Sequence, residues 1–377
     1  MRCFFDCVYL GVGRHVKYRY FILMGNNKYH HYVPQFYLRH FSTDEGKKLI
    51  GLYNCQNEIF LTAAPLRKQA REKNLYGDDD SIEKELSELE YYSSLVLARL
   101  LLVLLPPPPD SIYFSLLKKY ILYQSLRTLK SGKEVQDKIR SATKELFKIM
   151  SKTDPKYDGI VAQSTNPVLE GLAMADENLP LLEYLECKIL INRSNIPFIS
   201  SDNPVAQYNQ LVELKKAQGG LGWAVKGFQV FFPLRPDVML VLFDQFTYNY
   251  GSKRQTQLIL TNDADVNQLN ALQFISCNSQ LFFGTHISEH YIKQLVAKYS
   301  TAKKNSREIT LSKEKILPDG KKSVQFLSTS IDPKINLQLS FSTLTKPAKR
   351  FNFPGNYSCE RHQSLNKYRR SHKTNFS

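Results

Sequence analysis

The chain has 377 residues, 42% hydrophobic and 12% aromatic, enough to bury a substantial core and unlike a disordered composition. No apolar run approaches the roughly 20 residues that a bilayer-spanning helix needs; the best stretch, Leu95–Leu105, is shorter and carries Arg99. The net charge of +16 invites a nucleic-acid partner, but residues 344–377 alone hold eight Lys and Arg against one Glu, so much of the basicity sits in a tail, and a basic tail is more often a solvated end.

The six cysteines (Cys3, Cys7, Cys55, Cys187, Cys277 and Cys359) form no CxxC pair and no regular spacing. Reduced, mostly buried thiols and a cytoplasmic protein are the expectation, with neither a zinc ribbon nor a disulfide framework. Residues 1–23 lack an unbroken apolar segment, since Arg14, His15, Lys17 and Arg19 interrupt it, so a signal peptide is not expected. Translation is expected to start at Met24, with the preceding residues an upstream extension that intact-mass measurement would test.

In chain order, Lys28–Phe41 reads KYHHYVPQFYLRHF and is the densest motif. Pro34 suits the first turn of a helix, on which Gln35 and Arg39 would stack four apart. His30 and His31, if extended, face opposite ways, so only one enters a given site; His31, nearer the helix, is the candidate. Both histidines bonding the local backbone is the competing reading. Leu49–Tyr53 and Ile59–Thr62 flank Asn54–Asn57 as a hairpin. Ser81 caps a helix with Ile82, Leu86 and Leu89 at helical spacing, stopped by Pro106–Pro109. Helices are predicted at about 112–129 and 134–151.

On these helices stand Glu90, Gln124 and Arg127. An arginine among Ile121, Leu122, Leu126 and Leu129 calls for a carboxylate or phosphate partner, and an internal Glu90–Arg127 pair competes with ligand binding. The second half reads as strands: Cys187–Ile191, Phe198–Ser200, and a Val230–Leu234/Val238–Phe243 hairpin turned by Arg235-Pro236-Asp237. Between them, Ser200-Ser201-Asp202-Asn203-Pro204 is a turn by composition. Asp202 at a strand's carboxyl end is also placed to serve as metal ligand or general base. Asp263 or Asp265 caps a helix to about Ser276, and Gln280–Phe283 is a strand.

The strings HHYVPQFYLRHF, EKNLY (Glu72–Tyr76), the helical Glu90, QSLRT, FISSDNPV and FFPLRPD occur in this order over roughly residues 28–284. Together they resemble the mostly bacterial family catalogued as domain of unknown function 4238. The resemblance implies that His31, Pro34, Gln35, Arg39, Glu90, Arg127, Asp202 and Asn203 stand at family-motif positions, and brings no activity with it.

The expectation is an α+β protein: a helical first half (about 80–180) followed by a smaller mixed or antiparallel sheet (about 185–284) with a terminal helix. Residues 24–300 would form one domain and 301–377 a mostly disordered basic tail. The residue kinds suit a phosphodiesterase or nuclease-like hydrolase, of the defence or toxin-like effector kind, acting on nucleic acid or a nucleotide. His31, Glu90 and Asp202 would be catalytic, while Gln35, Arg39, Gln124, Arg127 and Asn203 bind substrate. A divalent cation is a candidate cofactor. The alternative is a non-catalytic module for an anionic ligand or a protein partner. No GxxxxGK[ST] or GxSxG string is present.

Overall fold

The computed structural model describes residues 29–77, 81–152, 154–304, 308–316, 322–330, 335–356 and 359–361. The expectations for residues 1–23, and for Cys3 and Cys7, lie outside these. The chain runs β1 (Tyr29–His31), a one-turn α1 (Gln35–Leu38), β2 (Leu49–Asn54), β3 (Ile59–Pro65), β4 (Arg71–Lys73), then α2 (Ser81–Val103), α3 (Ile112–Leu126), α4 (Leu129–Met150), α5 (Pro167–Ala173) and α6 (Ala175–Asn178). There follow β5 (Leu185–Asn192), β6 (Ser200–Ser201), β7 (Ala206–Tyr208), α7 (Gln210–Leu214), β8 (Gln229–Arg235), β9 (Val238–Asp244), β10 (Tyr248–Tyr250) and β11 (Gln257–Leu260). Last come α8 (Asp263–Ser276), β12 (Gln280–Phe283), α9 (Glu289–Lys304), β13 (Glu308–Ile316), β14 (Lys322–Ser330), β15 (Ser342–Leu344) and α10 (Lys346–Arg350).

The central layer is a five-stranded sheet ordered β11-β5-β9-β8-β7, antiparallel except for the β11–β5 pair. Its strands are apolar on both faces, and the period-2 alternation sends the two sets of side chains into two cores. Val230, Phe232 and Leu234 of β8 with Val238, Leu240 and Leu242 of β9 join Leu97, Leu100, Leu117 and Ile121 of α2 and α3. Phe231, Met239, Val241 and Phe243, on the other face, join Leu211 of α7 and Val266, Leu269 and Leu272 of α8. Each such side chain withdrawn from water stabilises by roughly 1.5–3 kcal/mol, so this sheet is the energetic centre of the fold.

A second sheet, ordered β3-β2-β12-β6, joins the first half of the chain to the second: Leu52 of β2 lies opposite Phe282 of β12. Gly51 makes this approach feasible, because a Cβ there would stand 2.6 Å from the Phe283 carbonyl oxygen and inside its ring. A third core fills the space behind this sheet, where Ala271, Phe274 and Ile275 of α8 meet Ile292 and Leu295 of α9.

The expected division into a helical first half and one smaller sheet with a terminal helix is not what forms. Strands β1–β4 stand in the first half, helices α7–α10 in the second, and the β2–β12 pair crosses between them. The class remains α+β. No signal local to residues 49–54 announces a partner more than 220 residues away. Local elements fare better: the Asn54 turn forms with Asn54 Oδ1 accepting from the Gln56 and Asn57 amides. The β8–β9 hairpin is closed by Arg235 on the Asp237 carboxylate. The α8 cap is Asn262, which accepts from the Ala264 amide, rather than either aspartate.

Residues 335–356 pack on the second core through Leu337, Leu339, Ala348 and Phe353, and β15 pairs with β10. Among the described residues no helix is long and apolar enough to cross a membrane.

Candidate functional site

The motif residues converge where β1, α1 and the facing ends of α2 and α3 meet. β1 pairs with β4, placing His31 opposite Arg71 and His30 opposite Glu72. The two histidines then divide as an extended strand requires. His30 is buried, accepts from the Tyr76 amide at 3.2 Å through Nδ1 and stacks on the Tyr76 ring. His31 faces the other way, with its Nε2 3.0 Å from Gln35 Nε2. Pro34 stands as the cap of α1, holding an extended conformation that turns Gln35 back toward His31.

Burial pushes the basicity of His31 below the ordinary histidine range; the Gln69 carbonyl opposes this, and Arg71 and Arg127 reinforce it. The ring is therefore neutral near pH 7. Gln35 donates to Nε2, and the proton sits on Nδ1, which is buried near the Gln69 and Ala70 carbonyls but makes no hydrogen bond of regular geometry with them.

The next layer is Arg127, almost wholly buried at the C-terminal end of α3. Its Nε and Nη2 both donate to Gln124 Oε1, at 2.9 and 2.7 Å, and Nη1 donates to Glu90 Oε1 at 2.7 Å. Gln124 Nε2 in turn donates to the Tyr32 carbonyl at 3.0 Å, tying the arginine to the strand that carries His31. Burial disfavours the guanidinium charge, and Glu90, Tyr76 and Tyr120 more than restore it, leaving Arg127 firmly protonated. Glu90 is the more accessible partner, with 28% of its side chain exposed. The Tyr120 hydroxyl, one turn before Gln124, is buried without a hydrogen-bond partner, and burial keeps its proton on. Tyr76 Oη reaches the His31 carbonyl at 3.4 Å.

Five sequence-predicted residues, His31, Gln35, Glu90, Gln124 and Arg127, therefore belong to one connected cluster. Arg39 does not join it. The Arg39 amide still bonds the Gln35 carbonyl, but the Arg39 side chain is exposed and no hydrogen bond or ion pair among the described residues ties it to the cluster. Sequence reasoning passed over Tyr76, Tyr120 and Arg71. Tyr76 closes the EKNLY string and Arg71 directly precedes it, so that string carried the one usable signal.

Asp202 and Asn203 adjoin the cluster but face elsewhere. Asp202 is fully buried, and both of its oxygens are taken. Oδ1 accepts from the Asn278 amide at 2.7 Å; Oδ2 accepts from the Ser279 amide at 2.8 Å, the Ser279 hydroxyl at 3.0 Å and the Gln280 amide at 3.0 Å. Burial pushes its carboxyl up and these donors draw it back. This is a carboxylate anchoring the α8–β12 loop. Asn203 Oδ1 accepts from Thr128 Oγ1 at 2.8 Å, while Nδ2 donates to the Ser276 carbonyl and hydroxyl. Thr128 also caps α4, accepting from the Ser131 amide, so Asn203 links the residue beside Arg127 to the end of α8. Among the described residues no group of three or more His, Cys, Asp or Glu side chains is arranged to hold a metal ion.

The cluster combines a neutral imidazole, two unpartnered buried donors and a fixed positive field, the ingredients for holding an anion and moving a proton. A family model described as "Protein of unknown function (DUF4238)" matches residues 29–286, which include every residue of the cluster. No curated protein and no solved structure matches the chain.

Proposed function

The chain belongs to the DUF4238 family, and for it we propose a site that binds the phosphate of a nucleotide or nucleic acid and uses His31 to transfer a proton in a hydrolytic step. The observation that carries this reading is the pair of buried donors, His31 Nδ1 and Tyr120 Oη, left without partners beside Arg127. Folded proteins seldom leave such groups unpaired, and ligand oxygens would satisfy them. Arg71 and Arg127 supply the favourable field, and both already act on His31. With its proton on Nδ1 and Gln35 holding Nε2, His31 is set to give that proton to an oxygen of the bound ligand. Glu90, half-buried at the edge, keeps Arg127 charged.

One observation favours the alternative of a binding module without turnover: three donors of Arg127 are committed to Glu90 and Gln124, so it supplies field rather than a free fork. A single experiment separates the two. The protein is incubated with labelled RNA, DNA and mononucleotides in magnesium, manganese or EDTA, beside His31→Ala, and thermal shift is read on the same ligands. Hydrolysis that His31→Ala abolishes establishes the first reading. A nucleotide-induced shift with no hydrolysis establishes the second, and neither signal in any condition overturns both.

A further inference from the structure

Behind the β2–β12 sheet, three side chains from separate elements meet. Cys55 directly follows β2 and donates its amide to the Ser279 carbonyl; Cys277 caps the C-terminal end of α8; Lys303 comes from the last turn of α9. The Cys55 and Cys277 sulfurs are 3.7 Å apart. Lys303 Nζ lies 2.8 Å from the Cys277 sulfur and also donates to the Phe274 and Cys277 carbonyls, at 2.8 and 2.6 Å. Those carbonyls are among the acceptors that the end of α8 leaves open, and the negative end of the helix favours a cation there. The ammonium is thereby fixed against one particular sulfur. Cys277 is buried, while Cys55 is half-buried and forms the accessible side of the pair.

We propose that Cys277 is a reactive thiolate and that Cys277 and Cys55 form a reversible disulfide when the protein meets hydrogen peroxide. The Cys277 sulfur attacks one peroxide oxygen, the O–O bond breaks, and the departing hydroxide takes a proton to become water, leaving a sulfenic acid on Cys277. The Cys55 thiol then gives up its proton and its sulfur attacks the Cys277 sulfur. The S–O bond breaks, and the released hydroxide takes up that proton as a second water. Two thiols are oxidised to one disulfide and one peroxide is reduced to two waters.

The electrostatics favour this division of labour. Burial alone would raise the Cys277 thiol, but the hydrogen bond from Cys55 and the Lys303 charge bring it below the ordinary cysteine range. Cys55 is pushed up, chiefly by that same hydrogen bond, so the proton shared by the pair stays on it. Burial raises both other described cysteines, Cys187 and Cys359, and neither has a second cysteine as hydrogen-bond partner. A nucleophile must be thiolate, so Cys277 reacts first.

The test uses the reduced full-length protein, treated with hydrogen peroxide, quenched with an alkylating reagent and mapped by peptide mass. The expected result is a Cys55–Cys277 linked peptide, formed before other cysteines are modified and reversed by dithiothreitol. Cys55→Ser should stop at a sulfenic acid on Cys277 that dimedone traps. Lys303→Met should slow oxidation at neutral pH by about tenfold for each unit that the thiol's pKa rises, and Lys303→Arg should restore most of the rate. Peroxide that modifies Cys187 or Cys359 as fast as the pair, or wild-type protein that yields no 55–277 link, overturns the proposal.

Discussion

Replacing Asp202 by Asn tests whether this carboxylate is an anchor or a participant in chemistry. The substitution keeps the shape and removes one acceptor. If the amide oxygen takes the place of Oδ2, it still receives the Ser279 amide and hydroxyl and the Gln280 amide. The amide nitrogen then faces the Asn278 N–H, which Oδ1 had accepted at 2.7 Å, donor against donor. A hydrogen bond to a charged acceptor is worth about 1.5–3 kcal/mol, and a buried donor left unpaired costs about 1–3 kcal/mol more. The three surviving bonds also lose their charge assistance. Asp202→Asn should therefore cost about 3–4 kcal/mol, read as a fall in urea midpoint at pH 7 and a melting temperature lower by roughly 10 °C. Asp202→Ala should cost more. Stability unchanged to within about 0.5 kcal/mol, together with lost hydrolysis of any substrate found, would refute the anchor reading and return Asp202 to the chemistry.

Gly51→Ala should destabilise by about 3 kcal/mol or more, because the new Cβ meets the Phe283 carbonyl in a packed sheet; urea denaturation reads it. Arg127→Lys removes the fork that spans Gln124 and Glu90 and should cost about 2–3 kcal/mol in the same assay. A loss under about 0.5 kcal/mol would show that the cluster tolerates a point charge. Burial, with Lys47 and Arg235 adding to it, pushes the basicity of His40 down to about 4. The folded ring stays neutral where the unfolded one protonates, so its contribution is full above about pH 6.5 and lost as pH falls toward 4. The loss, reduced by partial exposure to about 2 kcal/mol, should be absent from His40→Gln when urea midpoints at pH 7 and 4.5 are compared.

What could be read from sequence was whatever depends on neighbours. The Asn54 turn, the β8–β9 hairpin and the helices α2, α3 and α8 have their causes within about ten residues: alternation, caps and prolines. The need of Arg127 for a carboxylate was legible too, since a guanidinium on an apolar helix cannot stay unpaired, and Glu90 supplied it. The joining of β2 to β12 was not, because either strand would fit several partners by pattern alone. Nor was the role of Asp202, whose four donors arrive from residues 278–280. The arginine that reaches His31 electrostatically from the neighbouring strand is Arg71, for which the local pattern carries no signal of its own. Lys303 meets Cys277 only because α9 folds back along α8, a tertiary event with no trace in local spacing.

The contribution of residues 335–353 to the second core bears on how the chain is made. The helices that cover one face of the central sheet, α2 and α3, are synthesised before its strands. The opposite face waits for Leu337, Leu339, Ala348 and Phe353, which are synthesised well after β9. Domains fold as their segments emerge, so Met239, Val241 and Phe243 pass an interval only partly covered. That interval is when a chaperone has most to hold, and a premature stop downstream of α9 would make it permanent.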